Sequence, residues 1–126
     1  MNLLKLKLLL KEDNKILRTL GANYRYSYTK KVIKKFRKFR NITLIGMGGS
    51  ILGSQAIYDF LKYKIKKKVF FISNLDNRNL ENFQKINNLN LIISKSGNTL
   101  ETISNSNIFM KKNDKNIFIT ENTNNY

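Results

Sequence analysis

The sequence predicts an α/β fold in three αβα layers, with a mainly parallel sheet of about four strands between two layers of helices. Two observations carry this expectation. Four short apolar runs, at residues 42–47, 69–73, 89–94 and 116–120, are rich in β-branched or aromatic residues and nearly continuous rather than alternating, as strands covered on both faces are. Helix-length segments separate them, and a β-α-β-α-β-α-β order implies right-handed crossovers with helices on both faces of the sheet.

Taken in order, residues 1–40 read as a basic helical lead-in and residues 41–126 as the α/β domain. The lead-in holds 13 Lys/Arg against 2 acids and the remainder 11 against 6, so the net charge of +16 is mostly N-terminal. The leucine-rich start is broken by Lys5 and Lys7, which argues against both a membrane span and a signal peptide. Residues 16–28 give no clear pattern. In residues 29–40, Val32, Phe36 and Phe39 recur at helical spacing among lysines and arginines, which suits a packing helix with a solvated basic face. After the first strand, Gly53, Ile57, Phe60, Leu61 and Lys64 share one stripe of a helix, with Ser54, Asp59 and Lys62 looking outward. Leu80, Phe83 and Ile86 mark a second helix within residues 77–87. Leu100, Ile103 and Met110 mark a third, flawed by Asn107. No proline, internal repeat or low-complexity linker divides residues 41–126. The chain stops six residues after the fourth run, with no helix to cover it, so the expectation is a domain truncated at its C-terminus.

Composition removes many functions. The 126 residues include no cysteine and no histidine, which excludes disulfides, thiolate metal sites, and nucleophile systems that depend on histidine. Neither a metal nor a cofactor is expected. Lysine, asparagine and isoleucine are abundant along the whole chain, so the positive charge reads as compositional bias, and aromatics do not interleave with basic residues as a base-stacking platform requires. Neither a specific nucleic acid nor a membrane is expected as partner, and a cytoplasmic location is the default.

Two loops stand apart. In a doubly wound sheet the ligand lies beyond the carboxyl ends of the strands, where the winding reverses. For a flavodoxin-like order 2-1-3-4-5 that place is between strands one and three. The loops leaving those strands, GMGGSILGS from Gly46 and SKSGNTLET from Ser94, are the two richest in glycine and hydroxyl residues. Glycines 46, 48 and 49 allow a tight turn with positive φ and the approach of a ligand to the main chain. Ser50 then opens a helix whose first amides suit an anion. Ser94, Ser96 and Thr99 offer hydroxyl protons, and each hydrogen bond to a charged group contributes roughly 1.5 to 3 kcal/mol. A dinucleotide fingerprint would need glycine at position 51, occupied by Ile51, and the acid expected about 20 residues on has no counterpart nearer than Asp76. No Gly-Lys-Ser/Thr completes a P-loop either. A single phosphate fits better than a nucleotide.

At these loops the sequence resembles the phosphoglucose isomerase family, whose sugar isomerase (SIS) domain carries G-x-G-G-S-x-x-L-G after its first strand and S-K-S/T-G-x-T-x-E-T after its third. Here the first motif reads Gly46, Gly48, Gly49, Ser50, Leu52, Gly53, with only Ile51 between the serine and the leucine. The second reads Ser94, Lys95, Ser96, Gly97, Thr99, Glu101, Thr102. The resemblance covers residues 41–120. It implies that Ser94, Lys95, Ser96 and Thr99 bind a substrate phosphate, that Gly49 and Ser50 line the sugar site, and that the ligands are glucose 6-phosphate and fructose 6-phosphate. It further implies a role in glycolysis and gluconeogenesis, and a homodimer for the full-length enzyme.

Aldose–ketose isomerisation needs a base to move a proton between C1 and C2 and a group to open the ring. The family takes these from glutamate, histidine, arginine and lysine residues in motifs that are absent here, so no catalytic residue is assigned. Glu101 falls in the first turn of a helix, where the dipole favours its ionised form, and reads as a supporting charge behind the site. The leading expectation is the phosphate-binding part of an aldose–ketose isomerase, inactive as an isolated chain. Two others remain: a non-catalytic SIS module that binds or senses sugar phosphates, and a basic protein for which these loops are only turns.

Overall fold

The computed structural model describes residues 15–19, 21–75 and 88–121. The chain divides into two units, Met1–Lys35 and Phe36–Tyr126. In the first, a short helix α1 (Lys15–Arg18) ends in a turn where the Gly21 amide donates to the Arg18 carbonyl at 3.1 Å. Helix α2 (Lys30–Phe36) begins at Thr29, whose hydroxyl accepts the Val32 amide at 3.4 Å, and it contains no buried residue. The unassigned stretch before it qualifies the expectation about aromatics. Tyr24 and Tyr26 do alternate with Arg25, but their rings meet edge to face at 5.2 Å, and Tyr26 stacks on Tyr28 at 5.3 Å. The tyrosines spend part of their ring surface on one another.

The second unit has the α/β fold expected. Strand β1 (Asn41–Gly46) is followed by helix α3 (Gly49–Leu61) and strand β2 (Lys68–Ile72); strand β3 (Leu89–Ile93), helix α4 (Leu100–Phe109) and strand β4 (Lys115–Ile119) complete the described elements. The second helix expected, at residues 77–87 with Leu80, Phe83 and Ile86, lies outside the described residues. The four strands begin at or just before the expected runs, an ordinary discrepancy at strand ends. All pairings are parallel and the order is β2-β1-β3-β4. The central strands β1 and β3 are the most buried, which accounts for their near-continuous apolar character.

Alternation along the strands assigns the layers. Ile45 pairs with Ile72 on one side and Ile92 on the other, and these three pack with Phe109 of α4 in the main core cluster. Leu44 and its partner Phe71 sit one residue away and so face the opposite side. There Tyr58 of α3 meets Phe71, with ring centroids 5.6 Å apart. Helices α3 and α4 therefore cover opposite faces, giving the αβα layering.

Both helix faces differ in part from the expected ones, although Leu61 faces inward and Met110 packs against the core as expected. On α3 the inward side is buried Ile51 with half-buried Ser54, Gln55, Tyr58 and Leu61, whereas Ile57 and Phe60 are 63% and 77% exposed and Gly53 and Lys64 are exposed as well. The phase is set where the helix leaves its loop: the Ser50 and Ile51 amides donate to the Met47 and Gly48 carbonyls at 3.2 and 3.1 Å, and this turn points Ile51 at the sheet. On α4, Leu100 is 71% exposed and Ile103 faces out, while Thr102, Asn105, Ser106 and Phe109 are buried. Phe109 anchors the helix in the core, so residues three, four and seven positions earlier must share its face. Two of their polar groups turn to the backbone: the Ser106 hydroxyl donates to the Thr102 carbonyl at 2.7 Å, and Asn105 Nδ2 donates to the Asn74 carbonyl at 3.2 Å.

At the amino end of the sheet, buried Asp114 gathers three donors. Its Oδ1 accepts the Asn88 amide at 3.0 Å, and its Oδ2 accepts the Lys111 amide at 3.1 Å and Asn90 Nδ2 at 3.2 Å. This fixes the starts of β3 and β4, away from the loops that follow their carboxyl ends.

Candidate functional site

The chain winds from β1 outward to β2 and then crosses to β3 on the other side of β1. The reversal therefore falls between β1 and β3, and the loops that leave these strands are neighbours. Gly46 and Ile93, the last residues of the two strands, are register partners. A Cβ built on Gly46 would stand 2.9 Å from the Ile93 carbonyl oxygen and 3.5 Å from Ser50 Cβ, so glycine is required for the two loops to approach this closely.

The first loop turns at Gly48, whose φ of +53° is a left-handed conformation open to glycine, and α3 begins at the next residue. Positive φ was expected at three glycines here. Only Gly48 adopts it, while Gly46 serves close approach. Nothing lies within 4 Å of a Cβ built on Gly49, so its lack of a side chain leaves open space at the helix start. Ser50 follows, half-buried in the first turn of α3.

The second loop is organised around Ser94. This residue is only 6% exposed; its Oγ accepts the Gly97 amide at 3.1 Å and shares a hydrogen bond with Thr99 Oγ1 at 3.1 Å. Gly97 takes a φ of +76° as the loop doubles back. Ser96 Oγ accepts the Asn98 amide at 3.2 Å, and Thr99 is the N-cap of α4 without using its hydroxyl as a cap.

Between these loops lies an open cleft of about 550 Å³ lined by Ser50, Lys95, Ser96, Thr99 and Glu121. Of the residues expected at a site, the structure brings four together here: Ser50 from the first loop with Lys95, Ser96 and Thr99 from the second. Gly49 and Ser94 do not line it. Gly49 precedes Ser50 in the chain, and Ser94 holds the loop from behind. Glu101 is half-buried in the first turn of α4 and is likewise not a lining residue.

The sequence reading missed Glu121. Parallel register explains its presence: Ile93 pairs with Ile119, so two residues further on Lys95 runs beside Glu121. The Glu121 amide and the Thr120 hydroxyl both donate to the Lys95 carbonyl at 3.2 Å, and Lys95 Nζ lies 3.8 Å from Glu121 Oε2. Only a signal of position was available beforehand, since Glu121 follows the carboxyl end of a strand, where such ligand sites lie.

Among the described residues no group of three or more acidic residues could hold a metal ion, and no helix is long and apolar enough to cross a membrane. Chemically the cleft offers three hydroxyls, one ammonium and one carboxylate.

Comparison with known proteins points to one family. Residues 18–123 match the family described as phosphoglucose isomerase. The chain is 41% identical over 88 residues to a glucose-6-phosphate isomerase of Borrelia garinii subsp. bavariensis, a match covering 60% of this chain and 16% of that protein. It is 41% identical over 86 residues to one from Methanocaldococcus jannaschii, covering 65% and 21%, and 45% identical over 76 residues to one from Desulfitobacterium hafniense, covering 55% and 14%. The match spans between about a seventh and a fifth of the length of these relatives.

Proposed function

From its membership of the phosphoglucose isomerase family, we propose that the chain supplies the sugar-phosphate-binding part of a glucose-6-phosphate isomerase, which interconverts glucose 6-phosphate and fructose 6-phosphate. The observation that carries this reading is the convergence of Ser50 with Lys95, Ser96 and Thr99 around one cleft. Hydroxyls and an ammonium group are hydrogen-bond donors that match the oxygens of a phosphate monoester. A cleft of about 550 Å³ has the size of a small-molecule site, large enough for a hexose phosphate.

The residues divide the work. Ser96 and Thr99 present hydroxyls to the phosphate, and Lys95 supplies a positive charge. Ser94 fixes Thr99 and the Gly97 amide, and so orients the donors without lining the cleft. Gly49 and Ser50 bring the first loop alongside the sugar. Glu101, in the first turn of α4, supports the loop from behind. Proton transfer between C1 and C2 needs a base, and the 126 residues contain neither a histidine nor the family motifs that would supply one. The chain on its own therefore binds without turning over. In the complete enzyme, a cytoplasmic homodimer of glycolysis and gluconeogenesis, this binding positions the sugar for groups from elsewhere.

Titration calorimetry tests the reading. Glucose 6-phosphate binds the 126-residue chain with a micromolar to millimolar Kd, and the double variant Ser96→Ala with Thr99→Val loses at least tenfold in affinity while its circular dichroism is unchanged. Equal affinity in the double variant removes the second loop from the site. A coupled assay with the same chain detects no conversion of glucose 6-phosphate; turnover at rates typical of enzymes, ~1 to 10³ per second, refutes the assignment of the base to residues outside this chain.

A further inference from the structure

The five lining residues of the cleft sort by the sign of their hydrogen bonds. Ser50, Ser96 and Thr99 have hydroxyl donors and Lys95 has an ammonium, whereas the ionised carboxylate of Glu121 only accepts. A phosphate presents acceptor oxygens and negative charge, so Glu121 opposes it. Its carboxylate has use only for a ligand that also carries donors. Its position is built in by the sheet: the Glu121 amide and the Thr120 hydroxyl both hold the Lys95 carbonyl, continuing the β3–β4 register into the loop. The side chains of Lys95 and Glu121 are 81% and 77% exposed at 3.8 Å, a screened pair that opens at little cost.

Resting on the functional reading above, we propose that Glu121 is a specificity-determining residue of this cleft. It pairs with Lys95 and, when a phosphate takes Lys95, turns to accept hydrogen bonds from the hydroxyls of the same ligand. The ligand class that satisfies every lining group is a polyol monophosphate. Inorganic phosphate breaks the Lys95–Glu121 pair and gives Glu121 nothing in return. A sugar bisphosphate brings a second anion toward the carboxylate.

The test is calorimetric titration of the 126-residue chain at low salt with inorganic phosphate, glucose 6-phosphate and fructose 1,6-bisphosphate. Wild type is compared with Glu121→Gln and with the Ser96→Ala, Thr99→Val double variant. Glu121→Gln keeps the shape and the backbone hydrogen bond while removing the charge. The expected result is a gain of about two- to fivefold for inorganic phosphate and bisphosphate, the size of one exposed pair, with no gain for glucose 6-phosphate. The preference for glucose 6-phosphate over inorganic phosphate then falls by the same factor. An unchanged preference, with phosphate binding still abolished by the double variant, overturns the role of Glu121 and leaves the phosphate cleft standing. Phosphate binding indifferent to the double variant overturns the cleft itself, and Glu121 with it.

Discussion

Gly46 and Gly49 belong to the same glycine-rich turn and answer to different constraints. A Cβ at Gly46 meets a backbone oxygen, Ile93 O, at 2.9 Å, and that atom is fixed in the central ladder. Gly46→Ala is expected to cost about 1 to 3 kcal/mol, the usual range for overpacking, read as a lower urea midpoint. Gly49→Ala meets nothing within 4 Å at a helical position, so stability holds or rises by up to about 1 kcal/mol. If Gly49 admits the sugar, the same variant weakens glucose 6-phosphate binding, and a variant with raised stability and undiminished affinity removes Gly49 from the site. Asp114 shows the same economy at the other end of the sheet. Asp114→Ala strands two backbone amides and one side-chain amide in a buried setting, and is expected to cost about 3 kcal/mol. Asp114→Asn keeps one acceptor oxygen and costs less. Equal denaturation midpoints for the two variants would show that the carboxylate does not organise these turns.

Helices α3 and α4 each carry apolar residues on two sides, and the sequence does not say which side meets the sheet. On α3 the anchors are Ile51, 1% exposed, and Tyr58 against Phe71. Ile51→Ala is expected to cost about 2 to 4 kcal/mol, whereas Ile57→Ser on the exposed side stays within about 0.5 kcal/mol. Thermal or chemical denaturation of the two single variants checks this, and a larger loss for Ile57→Ser reverses the assigned face. Helix α4 inverts the usual arrangement: Thr102, Asn105 and Ser106 face the sheet and Leu100 faces out. Ser106 and Asn105 find backbone acceptors there. Thr102 Oγ1 and Asn105 Oδ1 have no hydrogen-bond partner among the described residues, and these atoms reduce the stability of the face.

At the scale of the whole α/β unit, the strand order does most to bring the candidate site together. With β1 and β3 adjacent, two loops separated by about half the α/β segment of the chain end side by side, and the register of β4 adds Glu121 to the same cleft. Strand β4 ends the described sheet, and Phe118 on it is 63% exposed. Edge strands with exposed apolar side chains invite association. Phe118→Lys is therefore expected to leave the melting temperature within a few degrees while lowering light scattering at high concentration; scattering that persists would place the sticky surface elsewhere, for instance along exposed Ile57 and Phe60 of α3.

The sequence by itself determined the number of described strands and their parallel packing, because strands covered on both faces must be apolar throughout, and β1 and β3 are. It also singled out the two loops that meet at the cleft, because glycines 46 and 48 and the hydroxyls of residues 94–99 answer to local backbone and hydrogen-bonding needs visible in a single stretch. The rotation of α3 and α4, the placing of Ser94 behind the cleft, and the arrival of Glu121 within it were decided only by the tertiary structure. Each depends on register between segments distant in the chain, and a difference of one residue in register, or of about 100° around a helix, leaves the apolar pattern of the sequence unchanged while moving every side chain to a different neighbour.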